Sequence, residues 1–292
     1  MSHHPKSSAV IAPKSEAEAF FAANPHIDAV DMIYTDMGGV PRGKRLRQHE
    51  VIAVYETGRM FPGSITVVDI TGQDTVETGL VWEDGDADRS MKPVPGTLVK
   101  TPWAGENAAQ FLVDFYELDG TPHDLDPRHV LGRVVDRYAE QGLVPAVAVE
   151  LEFYLVDPKR TRDGMVRPAA PAYSKDRPRN VEVYGLRELE DFRPFLDDLY
   201  SFCDAQGLPL ESAISEFAPG QFELTLCYKP DVLRACDDAI MYKRVVKAAA
   251  QRHGLEATFM AKPFADQAGS GMHIHVSGND ADGNNIFASE DP

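Results

Sequence analysis

The chain has 292 residues, of which 46 are acidic and 29 basic, for a formal charge of −17 with histidine neutral. A surface this acidic repels phosphate backbones and anionic lipid, so nucleic acid and membranes are excluded as expected partners, whereas a small cationic substrate would be attracted. Hydrophobic residues make up 43% of the sequence, enough for a substantial core in one large or two ordinary domains.

In chain order, residues 1–25 read as a polar, unordered tail running into a short helix over 15–23. Residues 26–35 alternate as a strand, MGGVPRGK supplies a glycine- and proline-rich turn, and 64–70 and 109–116 read as further strands. Residues 85–96 are rich in Asp, Pro and Gly and read as a long loop. Asp119, Gly120 and the turn-like TPHDLDPR mark a boundary, so the expected domains are 26–120 and 121–292.

Beyond the boundary the periodicity changes. An amphipathic helix is expected over 129–141, a strand over 144–156 and a polar, proline-rich insertion over 160–180. A helix over 188–206 and strands at 208–216 and 221–227 follow. The helix at 231–253 carries an apolar stripe of Val232, Ala235, Ala239, Val246 and Ala250 and stops at Gly254. Two more strands are expected at 256–260 and 271–277. Cys203, Cys227 and Cys236 lack CxxC spacing and read as buried thiols in a reducing compartment. No apolar stretch approaches the roughly 20 residues of a membrane span, and the start MSHHPKSSAV has no secretory apolar region, so a cytoplasmic location is expected.

Three segments carry candidate chemistry: Glu150 and Glu152 in AVAVELEFYLV, Glu216 and Glu223 in SEFAPGQFELTL, and His273 and His275 in GSGMHIHVS. Residues two apart on a strand share a face, so ExE and HxH can each aim two side chains into one cavity. A lone ExE is ordinarily a solvated strand face. Here the flanks from 144 to 156 are nearly continuously apolar, which places the carboxylates in a cleft or interior where unpaired charge is very costly. Convergent carboxylates repel, and Mg²⁺ or Mn²⁺ would relieve that repulsion through oxygen ligands. The small residues of GSG let backbone approach a ligand closely.

Together VELEFYLV, SEFAPGQFELTL, DDAIMYKRVVKAAAQRHG, ATFMAKP and GSGMHIHVS resemble the glutamine synthetase family from about Val30 onward. The resemblance implies an α+β fold in which an N-terminal β-grasp domain precedes an antiparallel-sheet catalytic domain. It implies homo-oligomeric rings, dodecamers in the family, with active sites shared between subunits. It also implies ATP as substrate, Mg²⁺ or Mn²⁺, and a γ-glutamyl phosphate intermediate. By the same resemblance Glu152, Glu216 and Glu223 hold one metal, Glu150 and His273 a second, and Glu211, His275 and Ser277 contact nucleotide. Gly269 matches a backbone contact to glutamate, and no residue is assigned as general base.

Two departures refine the expectation. Ammonia-using members carry an ammonium-binding aspartate before GS in the segment RMFPGSI, where this chain has Pro62. Pro62 can neither accept a proton nor pair with a cation, which leaves room for a larger amine. Together with GGVPRGKRL, FPGSI, VETGL and DADRSMKPVPGTL, it makes the chain similar to γ-glutamylpolyamine synthetases, which join glutamate to putrescine or related amines. Members also continue beyond HIHVSGNDADGNNIFASEDP to supply another metal-ligand glutamate, a flap glutamate and substrate-holding arginines, so the catalytic domain reads as incomplete relative to the family. Ala268 stands where ammonia-using members commonly have asparagine. The expected function is ATP-dependent ligation of glutamate to an amine. Ammonia-dependent glutamine synthetase and a truncated, noncatalytic nucleotide- or metal-binding relative are the alternatives, and a phosphagen kinase is disfavoured by the β-grasp segment and GSGMHIHVS.

Overall fold

The computed structural model describes residues 10–82, 85–174 and 176–289. The polar tail expected at the N-terminus falls largely on residues 1–9, outside the described residues. Two compact units divide the chain, Met1–Gly142 and Leu143–Pro292.

The first unit opens with helix α1 (Lys14–Ala23) and strand β1 (Ala29–Thr35), followed by β2 (Pro41–Leu46), α2 (Gln48–Thr57) and β3 (Arg59–Pro62). Strands β4 (Asp88–Pro93), β5 (Val99–Lys100) and β6 (Ala108–Tyr116) complete its sheet, and α3 (Pro127–Glu140) ends the unit. The sheet order is β2-β1-β6-β4-β3, with β5 also on β6. The β1–β6 pairing is parallel and the other ladders are antiparallel. Met32, Tyr34, Met91, Phe111 and Phe115 form its buried centre, with the Tyr34 and Phe115 rings edge to face at 4.8 Å.

Several expectations are corrected here. The segment PRGKRL is strand β2 and not part of a turn. Four of its six positions are exposed, so no apolar alternation marks it, and a Cβ on Gly43 would lie 1.7 Å from the Met32 carbonyl oxygen. Helix α2 was not expected; Glu50 accepts from the Arg47 N–H at 3.1 Å at its start, and Gly58 at φ +81 ends it. The expected strand at 64–70 is a single 3₁₀ turn, Gly63–Val67, held by the Thr66 hydroxyl on the Gly63 carbonyl and by the Ser64 N–H on Asp86. Within the expected loop at 85–96 lies β4, whose Met91 is fully buried between β3 and β6.

The second unit is built on the long strand β7 (Val144–Val156). Helices α4 (Leu186–Asp191) and α5 (Arg193–Gln206) follow, then β8 (Leu210–Ser215), β9 (Gln221–Leu226), α6 (Val232–Arg252), β10 (Glu256–Thr258) and β11 (Met272–Asn279). The helix expected over 188–206 is broken at Phe192, where Pro194 in the next turn has no N–H to continue the ladder. All five stripe residues predicted for α6 are buried, and Gly254 follows it at φ +68, its N–H bonded to the Gln251 carbonyl.

Every ladder of this sheet is antiparallel. Its order is β10-β7-β9-β8, and β11 pairs with β7 on the flank opposite β9. Alternation sends Phe153 and Phe222 to one face, where they pack with Phe195 of α5 and with Phe259. The carboxylates of β7 occupy the other face. Among the thiols Cys203 is buried, but Cys227 and Cys236 are only half-buried, which corrects the expectation for those two. No helix among the described residues is long and apolar enough to cross a membrane.

Candidate metal centre

Strand β7 is flanked by β9 on one side and β11 on the other, and the register of those ladders assembles the centre. Glu152 stands opposite Glu223 on β9, and Glu150 stands opposite His273 on β11. Glu216 arrives from the loop after β8, its N–H bonded to the Gln221 carbonyl at 2.9 Å. One ligand atom from each of Glu152, Glu216 and Glu223 lies within 4.8 Å of the others, and the same holds for Glu150, Glu223 and His273. The five residues singled out as metal ligands are therefore together, and Glu223 belongs to both trios.

The electrostatics follow from crowding. Glu223 is only 7% exposed, and burial, then the charges of Glu150, Glu216 and Glu152, push its carboxyl from an ordinary 4.5 up to about 7, against a smaller pull from His273. Burial, then Glu152, raises Glu216 as well. Carboxylates that resist joint ionisation are a fitting donor set for a hard divalent cation, which supplies the missing positive charge.

The imidazoles lie along the same face. His275 Nε2 is 3.0 Å and His273 Nδ1 3.6 Å from Glu150 Oε2, and the Tyr228 ring lies 6.2 Å from that of His275. Ser277, opposite Ala146, shares the alternation of His273 and His275. Glu211 sits at the irregularity of the β8–β9 ladder beside Cys227; burial, then a hydrogen bond to Glu211, pushes that thiol up. Neither Glu211 nor His275 belongs to the ligand trios among the described residues. Pro62 lies in the first unit, at the end of β3 opposite Asp88.

Three supports hold the carboxylates. Gly271 approaches so closely that a Cβ there would lie 2.7 Å from Glu152 Oε1, and a Cβ on Gly269 would lie 2.8 Å from the Ala261 carbonyl. Gln221, 1% exposed, donates from Nε2 to Glu152 Oε2 at 2.7 Å and to the Gly269 carbonyl at 3.0 Å. Glu188, 5% exposed, accepts from the Ser215 hydroxyl at 2.6 Å and the Gly220 N–H at 2.7 Å, clamping both ends of the loop that bears Glu216. Sequence reasoning missed Gln221 and Glu188. Gln221 had a usable signal, since it precedes Glu223 by two residues and shares its face, whereas Glu188 reads as one more acidic residue of a helix surface.

A sequence profile described as glutamine synthetase, catalytic domain, matches residues 124–292. The chain is 39% identical over 273 residues to gamma-glutamylputrescine synthetase of Escherichia coli K12, covering 94% of this chain and 58% of that protein. It is 30% identical over 275 residues to glutamate–isopropylamine ligase of a Pseudomonas species, covering 92% and 58%. A solved GmaS/ADP complex superposes with a TM-score of 0.76 at 29% identity, covering 93% of this chain and 57% of that one. The chain thus spans a little over half the length of these relatives. With a catalytic-domain profile over more than half its residues, and an α+β structure of which 93% superposes on a solved relative, the chain belongs to the glutamine synthetase family.

Proposed function

We propose that the chain carries the metal-binding part of an ATP-dependent carbon–nitrogen ligase that joins the γ-carboxylate of glutamate to a primary amine of the polyamine type. The observation that carries this reading is the pair of ligand trios sharing Glu223. Glu152, Glu216 and Glu223 would hold one Mg²⁺ or Mn²⁺, and Glu150, Glu223 and His273 a second. Bound there, the cations would neutralise charge developing on the oxygens of a transferring phosphoryl group.

The reaction balances in two steps. A γ-carboxylate oxygen attacks the γ-phosphorus of ATP and ADP leaves; the amine nitrogen then attacks the acyl carbon, phosphate leaves, and the amine gives up a proton. His275, Glu211 and Ser277 are proposed to position the nucleotide, and the Gly269 backbone to meet glutamate. The names of two relatives, a gamma-glutamylputrescine synthetase and a glutamate–isopropylamine ligase, support an alkylamine acceptor. Pro62 supports it independently, because it has no carboxylate for ammonium. The mixed sheet of the first unit, with α2 packed on it, supports a β-grasp domain over 26–120; the catalytic domain proposed over 121–292 then begins with α3, which groups with the first unit. Homo-oligomeric assembly belongs to the same proposal.

Phosphate release from ATP and glutamate, measured with putrescine and with ammonium at equal concentration, tests the reading. Faster release with putrescine is expected. A preference for ammonium would replace it with plain glutamine synthetase, and Mn²⁺ binding without any release would favour a noncatalytic relative.

A further inference from the structure

Gln221 is a buried amide whose three hydrogen-bonding partners come from three separate segments. Its Nε2 donates to Glu152 Oε2 on β7 and to the Gly269 carbonyl in the GSG run, while its Oε1 accepts from the Ala218 N–H at 3.2 Å in the loop that bears Glu216. An amide has two N–H donors and one oxygen, so this arrangement uses both donors and the acceptor. The orientation is chemically keyed. Turned over, the amide would set its oxygen against a carboxylate and a carbonyl and its NH₂ against an N–H.

Glu152 needs such a partner. It stands opposite Glu223, with Glu216 close by, so repulsion favours swinging its long side chain away from the cluster. The bond from Gln221 holds Oε2, while Oε1 lies so close to Gly271 that a Cβ there would be 2.7 Å from it, so the carboxylate is pinned from both sides. We infer that Gln221 is a positioning residue for the metal centre: its amide locks the Glu152 carboxylate to the GSG backbone and sets the cation affinity of the Glu152, Glu216 and Glu223 trio. This rests on the metal reading of that cluster. Outer partners that orient metal ligands typically govern affinity by about 10- to 100-fold.

The test uses the whole chain and Mn²⁺ alone, followed by calorimetric titration and by the electron paramagnetic resonance signal of bound Mn²⁺. Gln221→Met keeps the volume and removes all three bonds, and is expected to weaken one Mn²⁺ site about 10- to 100-fold with an altered spectrum. Gln206→Met removes a buried glutamine at the end of α5, 3% exposed, and controls for general loosening; its Mn²⁺ affinity is expected to match wild type. If Gln221→Met does not fold, hydrogen exchange on the wild type answers instead, because Mn²⁺ should slow exchange of the Ser270 and Gly271 amides through the shared lock. A wild-type chain that binds no Mn²⁺ overturns the metal reading itself. Wild-type binding with unchanged affinity in Gln221→Met, equal losses in both variants, or GSG exchange indifferent to bound Mn²⁺ would overturn only the role of Gln221.

Discussion

Glu152 and Glu223 are directly opposed across the β7–β9 ladder, the placement in which two like charges on a sheet repel most strongly. The strand pairing that builds the second unit therefore works against its own electrostatics at this point. That conflict should be measurable as stability.

The carboxyl of Glu223 is pushed up to about 7 in the folded chain from an ordinary 4.5. The folded form thus holds this proton more tightly than the unfolded chain. Cation-free stability should fall as pH rises from about 4.5 to 7, with the full cost present above 7. Glu223→Gln removes the cost and should stabilise the cation-free chain at pH 8 by about 1–3 kcal/mol, and far less at pH 5. Urea unfolding in chelator at both pH values checks this; an equal effect at both would rule out the burial and crowding of an ionised Glu223 as the cause.

The same shift predicts proton release on metal binding, since a cation binds the ionised carboxylate. At pH 6, Mn²⁺ should expel close to one proton from Glu223, and at pH 8.5 almost none. Titration calorimetry in buffers of different ionisation enthalpy counts these protons. Constant release across that range would remove Glu223 from the ligand set.

Glu188→Ala leaves the buried Ser215 hydroxyl and Gly220 N–H without their acceptor, which should cost about 2–4 kcal/mol of stability and loosen the loop carrying Glu216. Chemical denaturation reads the first effect and Mn²⁺ affinity the second. A variant within half a kcal/mol of wild type, on the scale of ordinary surface substitutions, would show that the clamp is dispensable.

On the proposed ligase reading, Pro62→Asp should raise the rate with ammonium relative to that with putrescine, by supplying a carboxylate where the chain has none. A diamine can anchor its distant ammonium and so orient the reactive nitrogen, a handle that ammonium lacks. Competition between the two amines in phosphate release gives the ratio directly. An unchanged ratio would detach amine choice from this position.

The second unit was far more legible in the sequence than the first. The apolar run 144–156 and the stripe on α6 state their burial openly, and the period of two pairs Glu150 with Glu152 and His273 with His275, whereas Glu216 and Glu223 joined the expected site through the family resemblance. In the first unit, β2 is a mostly exposed, charged strand and β4 hides a fully buried Met91 in a polar stretch, so both lack the alternation that announces strands. The reverse error came at 64–70, where β-branched residues suggested a strand but local side-chain bonds make a 3₁₀ turn. Glu188 was invisible for another reason: its partners lie 27 and 32 residues away, and nothing local records them.

Glu223 belongs to both candidate trios, whereas Glu152 and Glu216 belong to one and Glu150 and His273 to the other. Substitution at any of those four could retune one half of the centre and leave its counterpart nearly intact, so each half is open to gradual change. Glu223 offers no such partial step. In a lineage losing cation binding, variation should collect first at the singly used positions, and loss of Glu223 should mark the point at which both trios were given up together.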